Sequence, residues 1–573
     1  MLKTAAAGII IATAGHSPYR VVIPANPTPS QAFAASELVR FVAEMSGAEL
    51  TVMPDSMPAQ GPEIILGNSS RLQDLEVTVD WRNLGDEGYR ILTVKKNLVI
   101  AGSGVRGTLY GVYGLLSDHW GCRWYTPEVS LIPKRRRLSL PRIDKTTVPR
   151  LEYRESYWWE GFDGDWAARN RQNSALARLE PRHGGKVQYK GFVHTMDGLV
   201  PTDLYEMHPE YFAMRAGKRV KDNSQRCLTN PEVLNIAIEN ARKWLRESPD
   251  ATIISVSQND NSEFCECPKC KAVDDAEGSH AGTMLAFANN VAAAIEAEFP
   301  KVAVDTLAYQ YTRTPPKTVK PRPNVIVRLC SIECCFSHPL DECSEDSNRS
   351  FMRDLTGWGK LSRRLYIWDY VTNFKHYLLP IPNLGVLDEN IRVFVNNGVA
   401  GVFEEGNYSE GGGGELAPLK AWVLARVLVD PDLKAARLIQ EYVYAVYGPA
   451  AGPVMDFINR YMRAIKNTRE HVRIYDEAER NYLYPELLRE YDRILDKAET
   501  LAVKSGDQAL VTRVVRLRMP IWYAQLEQAR EPVEARKAIA RRLLNSARSM
   551  GITRFCEWRN ISEDFAKLEA FLK

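Results

Sequence analysis

Short apolar segments recur from residue 151 to residue 430, each running out into polar or aromatic residues and most followed by a helical pattern. They are Tyr153–Trp158, Gly191–His194, Arg226–Leu228, Thr252–Gln258, Ala303–Tyr309, Asn324–Cys330, Leu365–Tyr370 and Gly398–Glu404. Apolar strands alternating with helices are what a parallel sheet covered on both faces requires. Roughly eight units in about 280 residues have the size and count of a (β/α)8 barrel, whose chemistry sits at the C-terminal ends of its strands. Arg226–Leu228 is the shortest and weakest of the eight.

The flanks follow other rhythms. Residues 1–132 alternate strand and helix and predict a small mixed α/β domain. In it Thr28 caps a helix that Pro29 opens and Gly47 closes, with Leu38, Phe41, Val42 and Met45 on one face. The opening GIIIATAGHSPYRVVIP reads as two strands in preference to a short export signal. Residues 133–150, basic and bounded by prolines, read as a linker, and residues 431–573 show helical periodicity alone. At 573 residues the chain exceeds one ordinary core, and three units account for it.

Charge narrows the partners. With 74 basic and 71 acidic residues the net charge is +3, too balanced to predict a nucleic acid or an anionic membrane as partner. No apolar run approaches a membrane helix in length.

The strand ends carry the chemistry. Asp260 follows the fourth predicted strand, Glu333 the sixth and Asp369 the seventh, while Glu404 and Glu405 close the eighth. Carboxylates gathered at one end of a barrel suit acid/base work, which needs one protonated and another ionised. Aromatic residues accompany them, among them Trp368, Tyr309 and Tyr408, and flat rings stack on sugar faces. His194, Asn259, Asn373 and His376 are candidates to bind hydroxyls.

Two further motifs stand in the sequence. Gly102-Ser-Gly104-Val-Arg-Gly107 matches the dinucleotide fingerprint, but no acidic residue ends a following strand at the expected distance, so a tight turn is the better reading. Seven of the ten cysteines lie in 265–343. Cys265, Cys267 and Cys270 are close enough to share a structural zinc, with a fourth ligand from Cys330, Cys334, Cys335, Cys343 or His338. Buried thiols and disulfides are the alternatives.

Several stretches resemble the bacterial proteins that carry the domain of unknown function 4838, some of which form glycoside hydrolase family 163. They include RGTLYGVYGLLSDHWGCRWYTP, SVSQNDNSEFCECPKC, YIWDYVTNFKHYLLPIPNL and GVFEEGNYSEGGGGELAPLKAWVLARVL. The resemblance implies an N-terminal domain like those preceding hexosaminidase and α-glucuronidase barrels, then a (β/α)8 barrel, then helices. It implies a glycosidase acting on N-acetylglucosamine-type linkages, as in N-glycan cores, with the substrate's acetamido group as nucleophile and no cofactor required. Carried over to this chain, it makes Asp260 the first candidate for general acid/base and Glu404 the competitor, with Asn259, Tyr309, Trp368 and Asp369 lining the sugar subsite. The family pattern favours Gln over Glu at 405, so the doubled carboxylate leaves the roles open. Alternatives are a two-carboxylate glycosidase on uronic-acid or other plant or algal glycans, and a glycan-binding protein without catalysis.

Overall fold

The computed structural model describes residues 8–468 and 470–573. The barrel region folds as one parallel sheet of seven strands. Its order is Tyr153–Tyr157, Val399–Glu405, Leu365–Tyr370, Val325–Cys330, Ala303–Ala308, Ile253–Ser255 and Tyr189–Lys190. Apart from Tyr153–Tyr157, which closes back beside the last strand, this runs backward along the chain, as a barrel's neighbours do. The sheet curls so that Tyr153, Ile253, Ala303, Ile326, Tyr366 and Phe403 share one interior cluster. Across that interior Tyr153 stacks on Tyr366 at 5.6 Å and meets Tyr189 at 6.0 Å.

Closure is incomplete. The expected third strand, Arg226–Leu228, is no strand: Arg226 makes one isolated bridge to Phe212. Its guanidinium is buried instead, donating to Val200 O and Asp197. A segment interrupted by a buried arginine that must satisfy its donors elsewhere does not extend a ladder. Tyr189–Lys190 pairs directly with Ile253–Ser255 in its place, and among the described residues no ladder joins the edge strands Tyr153–Tyr157 and Tyr189–Lys190.

The N-terminal unit holds a six-stranded mixed sheet, ordered Asp144–Thr147, Tyr89–Val94, Asn97–Gly102, Glu63–Leu66, Arg20–Ile23 and Thr51–Pro54. Helix Pro29–Ser46 packs on it, with Thr28 and Gln31 forming a capping box and Gly47 in the left-handed conformation at φ 75°. The stretch read as a linker is part of this unit: Arg137–Leu140 pairs with Ile9–Thr13, and Asp144–Thr147 forms the sheet edge. The Gly102–Gly107 loop is a packing device. A Cβ on Gly102 would stand 2.3 Å from the Gly107 carbonyl carbon, and Thr28 Oγ1 donates to Gly104 O at 2.7 Å.

The helical unit comprises Ala435–Tyr447, Ala451–Thr468, Pro485–Ser505, Gln508–Gln528, Val533–Ser549 and Ile561–Leu572. Two of its connecting segments clasp the loop after Leu365–Tyr370: Phe374 N donates to Ile474 O at 2.8 Å, and Glu557 N to Phe374 O at 2.9 Å. One continuous core runs through all three units, from Ile9 to Ala524. Among the described residues no helix is long and apolar enough to cross a membrane.

Candidate active site

A cavity of about 260 Å³ opens at the C-terminal ends of the parallel strands, where barrel chemistry was expected. Asp260, Glu405, Glu557, His194, Trp368 and the tyrosines 309, 370 and 475 contribute to its wall.

Strand alternation decides which side chains arrive there. Successive residues of a strand face opposite ways. Along Val399–Glu405, Phe403 and Glu405 face inward while Val402 joins the core behind the sheet. Glu404 follows Val402 outward, into a void of about 10 Å³ that it lines with Asp369, Asn383 and Asn390. Glu404 and Asp369 therefore do not share the cavity with Asp260, a correction to the expected site that follows from parity alone. On the neighbouring strand the inward residues are Trp368 and Tyr370.

The carboxylates in the cavity sit in unlike environments. Glu405 is buried, and loss of solvent pushes its carboxyl up to about 8, against the Trp368 indole N–H that donates to Oε2 at 2.7 Å and favours the anion. The Asp260 side chain is 63% exposed. It accepts from the Tyr309 hydroxyl at 3.2 Å, and Gln310 Nε2 in turn donates to that hydroxyl at 2.9 Å. Burial, and next the charge of Asp260, raise the Glu557 carboxyl above its ordinary value. Glu404 and Asp369, behind the sheet, are also raised by burial, Asp369 to about 6.

His194 reaches the cavity from the loop after Tyr189–Lys190, in the left-handed region at φ 52°. Its Nδ1 lies 2.8 Å from Gln258 O, which only accepts, so the proton sits on Nδ1. Nε2 is then turned toward Asp260 Oδ1, 3.8 Å away. Beneath, Arg328 pairs with Asp305 at 2.8 Å with both side chains fully buried, and its guanidinium lies 5.0 Å from the Trp368 ring centre.

Three other expected residues support the walls from outside. Asn259 Nδ2 donates to Asp197 and to Ser224 O. Asn373 donates to Asp476 O and accepts from His376 N. Tyr408 stacks on Tyr157 at 5.5 Å. Glu333 is engaged by Arg313 at 3.0 Å. Tyr475 and Glu557, which line the cavity from the helical unit, were not anticipated; neither lies at a strand end, and only the fold brings them there.

The loop after Asp260 is clamped. Cys227, Cys265, Cys267 and Cys270 place their sulfurs within 4.8 Å of one another. Cys227 to Cys267 is 3.6 Å and Cys227 to Cys270 is 3.9 Å. A zinc–sulfur tetrahedron has edges of about 3.8 Å, so the thiols fit such an ion. The Met214 backbone N–H and Arg219 both donate to Cys265 Sγ, as donors to a thiolate would. The fourth member is thus Cys227; none of the candidates from 330–343 joins this cluster. All ten cysteines are free and buried.

The profile of the family described as "Domain of unknown function (DUF4838)" matches residues 124–462, and that described as "Glycosyl hydrolase family 67 N-terminus" matches residues 13–115. No curated protein matches the chain. Among solved structures, the chain is similar to a family GH115 4-O-methyl-alpha-glucuronidase with specificity for decorated arabinogalactans. The TM-score is 0.57 at 10% identity, over 98% of this chain and 80% of the other. A GH89 protein from Clostridium perfringens, solved in complex with GlcNAc-alpha-1,4-galactose, gives 0.48 at 11% identity, over 91% and 65%. The first of these likenesses establishes a shared fold.

Proposed function

The chain belongs to the DUF4838 family, and from the cavity it carries we propose that it is a glycoside hydrolase acting on N-acetylglucosamine-type linkages with retention, as the resemblance to glycoside hydrolase family 163 implies. The observation that carries the reading is one aromatic cavity with two carboxyl groups in opposed environments: Glu405 held protonated by burial, and Asp260 solvated and hydrogen-bonded. Such a pair divides acid from partner.

In this reading Glu405 protonates the departing glycosidic oxygen, and the Trp368 indole N–H stabilises the carboxylate left behind. Asp260, braced by Tyr309, orients and polarises the substrate's acetamido group. The acetamido oxygen attacks the anomeric carbon as the leaving group departs, closing a five-membered ring. Water, deprotonated by Glu405, then opens that ring and returns the proton to the acid. Trp368 and Tyr370 supply ring faces for stacking. The four-cysteine cluster holds a structural zinc that fixes the loop carrying Asp260 and takes no part in the reaction.

The test is a glycan-library digest read by mass spectrometry, with Glu405→Gln and Asp260→Asn as controls. Release of N-acetylglucosamine-terminated products by the unsubstituted chain, lost in both variants, supports the reading. Binding without release from any glycan points to a lectin-like protein. One observation favours a second mechanism: Glu557 places a third carboxyl in the cavity, enough for a direct two-carboxylate scheme on sugars lacking an acetamido group. A thiazoline analogue inhibits the first mechanism and spares the second.

A further inference from the structure

We propose that Cys335, His338, Cys343 and His471 form a second metal site, of the zinc class, which pins the segment 470–476 of the helical unit to the barrel rim and so sets Tyr475 in the cavity wall. One ligand atom from each of the four lies within 4.8 Å of the other three. Cys335 Sγ is 3.3 Å from His338 Nδ1, and Cys343 Sγ is 3.5 Å from His471 Nδ1. A tetrahedral zinc with ordinary Zn–S and Zn–N bonds sets sulfur and nitrogen about 3.6 Å apart. Two thiolates neutralise a divalent ion, and a mixed sulfur and imidazole set selects zinc over the hard cations.

The surroundings are those of ligands. With Nδ1 of His471 turned to Cys343, its Nε2 faces Glu345 Oε1 at 3.4 Å, and Glu345 is itself held by Arg473. A carboxylate behind the far nitrogen of an imidazole is the usual way a metal-binding histidine is oriented. The rings of His338 and His471 stand 4.8 Å apart, tilted by 51° and not stacked.

Three ligands come from one turn after strand Val325–Cys330, and the fourth comes from the far side of helix Ala451–Thr468. The ion would therefore cross-link two units of the fold. Two hydrogen bonds run beside it: the backbone Phe336 N donates to Val472 O at 2.9 Å, and the Arg473 side-chain Nη1 to Glu333 O at 2.8 Å. Tyr475 enters the cavity four residues after His471. This site is separate from the four-cysteine cluster, and its existence does not depend on the reaction the cavity performs.

Metal content of the purified full-length chain is the primary readout. His471→Ala is expected to lose one zinc equivalent per chain relative to the unsubstituted protein, and Cys227→Ser to lose a different one. A His471→Ala protein that carries as much zinc as the unsubstituted chain overturns the proposal. Zinc K-edge absorption on the unsubstituted chain needs no variant and so survives a failure of His471→Ala to fold. A shell of mixed nitrogen and sulfur supports the site; a shell of sulfur alone, or a chain that takes up no zinc, overturns it.

Discussion

Adjacent carboxylates at 404 and 405 end up on opposite sides of one sheet, and most of the site's logic follows from that. Glu405 enters the cavity beside Trp368, whereas Glu404 is sealed behind the strand with Asp369, its Oε2 without a hydrogen-bond partner among the described residues. Glu405→Gln is expected to lower kcat by about 10²–10⁴-fold, the usual worth of a positioned acid. Glu404→Gln should leave kcat within a few-fold, since a neutral amide replaces a carboxyl already kept neutral by burial. Steady-state kinetics on the two purified variants separates the assignments. Activity of the unsubstituted chain should fall as pH rises through about 8, where Glu405 gives up its proton. Stability follows the same group. Folded, Glu405 keeps its proton to about 8; unfolded, it releases it near 4.5. Between those values the folded chain holds the extra proton, so this contribution is complete below 4.5 and is lost as pH rises through about 8. Glu405→Gln removes it, and thermal melts from pH 5 to pH 8 should fall less steeply for the variant. The sequence makes the doublet visible and hides its parity. Strands buried on both faces are apolar throughout, so GVFEE has no polar alternation from which to read which glutamate points inward.

The strands themselves were legible where they are long and apolar, and Thr28, Pro29 and Gly47 stand where helix-end chemistry puts them. What misled was composition without context. Arg226 sits in a segment that resembles a short strand until its guanidinium needs partners. The basic residues 134–137 look like a tether, although the chain beyond them completes two sheets by pairing with residues far away in sequence. Gly401 offers a test of how tightly the parallel strands pack. A Cβ there would stand 2.8 Å from both Tyr153 Cβ and Tyr366 Cδ1. Gly401→Ala should therefore cost about 1–3 kcal/mol, the range for overpacking a filled core, read as a lower midpoint in denaturant with an unchanged slope.

The three units do not behave as beads on a string. One apolar cluster runs through all three, and Glu87 of the N-terminal unit is buried between Arg106 of the same unit and Arg154 of the strand Tyr153–Tyr157, with Asn173 donating to it as well. Calorimetry should show one main transition in place of three. Removing a single partner from a buried pair typically costs about 3–5 kcal/mol, so Glu87→Ala should lower that transition as a whole without splitting it. This level of organisation was the least readable beforehand, because Tyr475 and Glu557 lie in a region whose only local signal is helical periodicity.

The cavity wall is drawn from residues 193 to 557, so its parts are separated by most of the chain. A ribosome makes the parallel strands long before it makes Glu557, so a nascent chain that has emerged only through residue 430 still lacks one side of the cavity. The cavity would thus be complete only after the helical unit has docked. A protease that nicked the 470–476 strap or the turn at 553–558 would release Tyr475 or Glu557 from that wall while leaving Asp260 and Glu405 where they are.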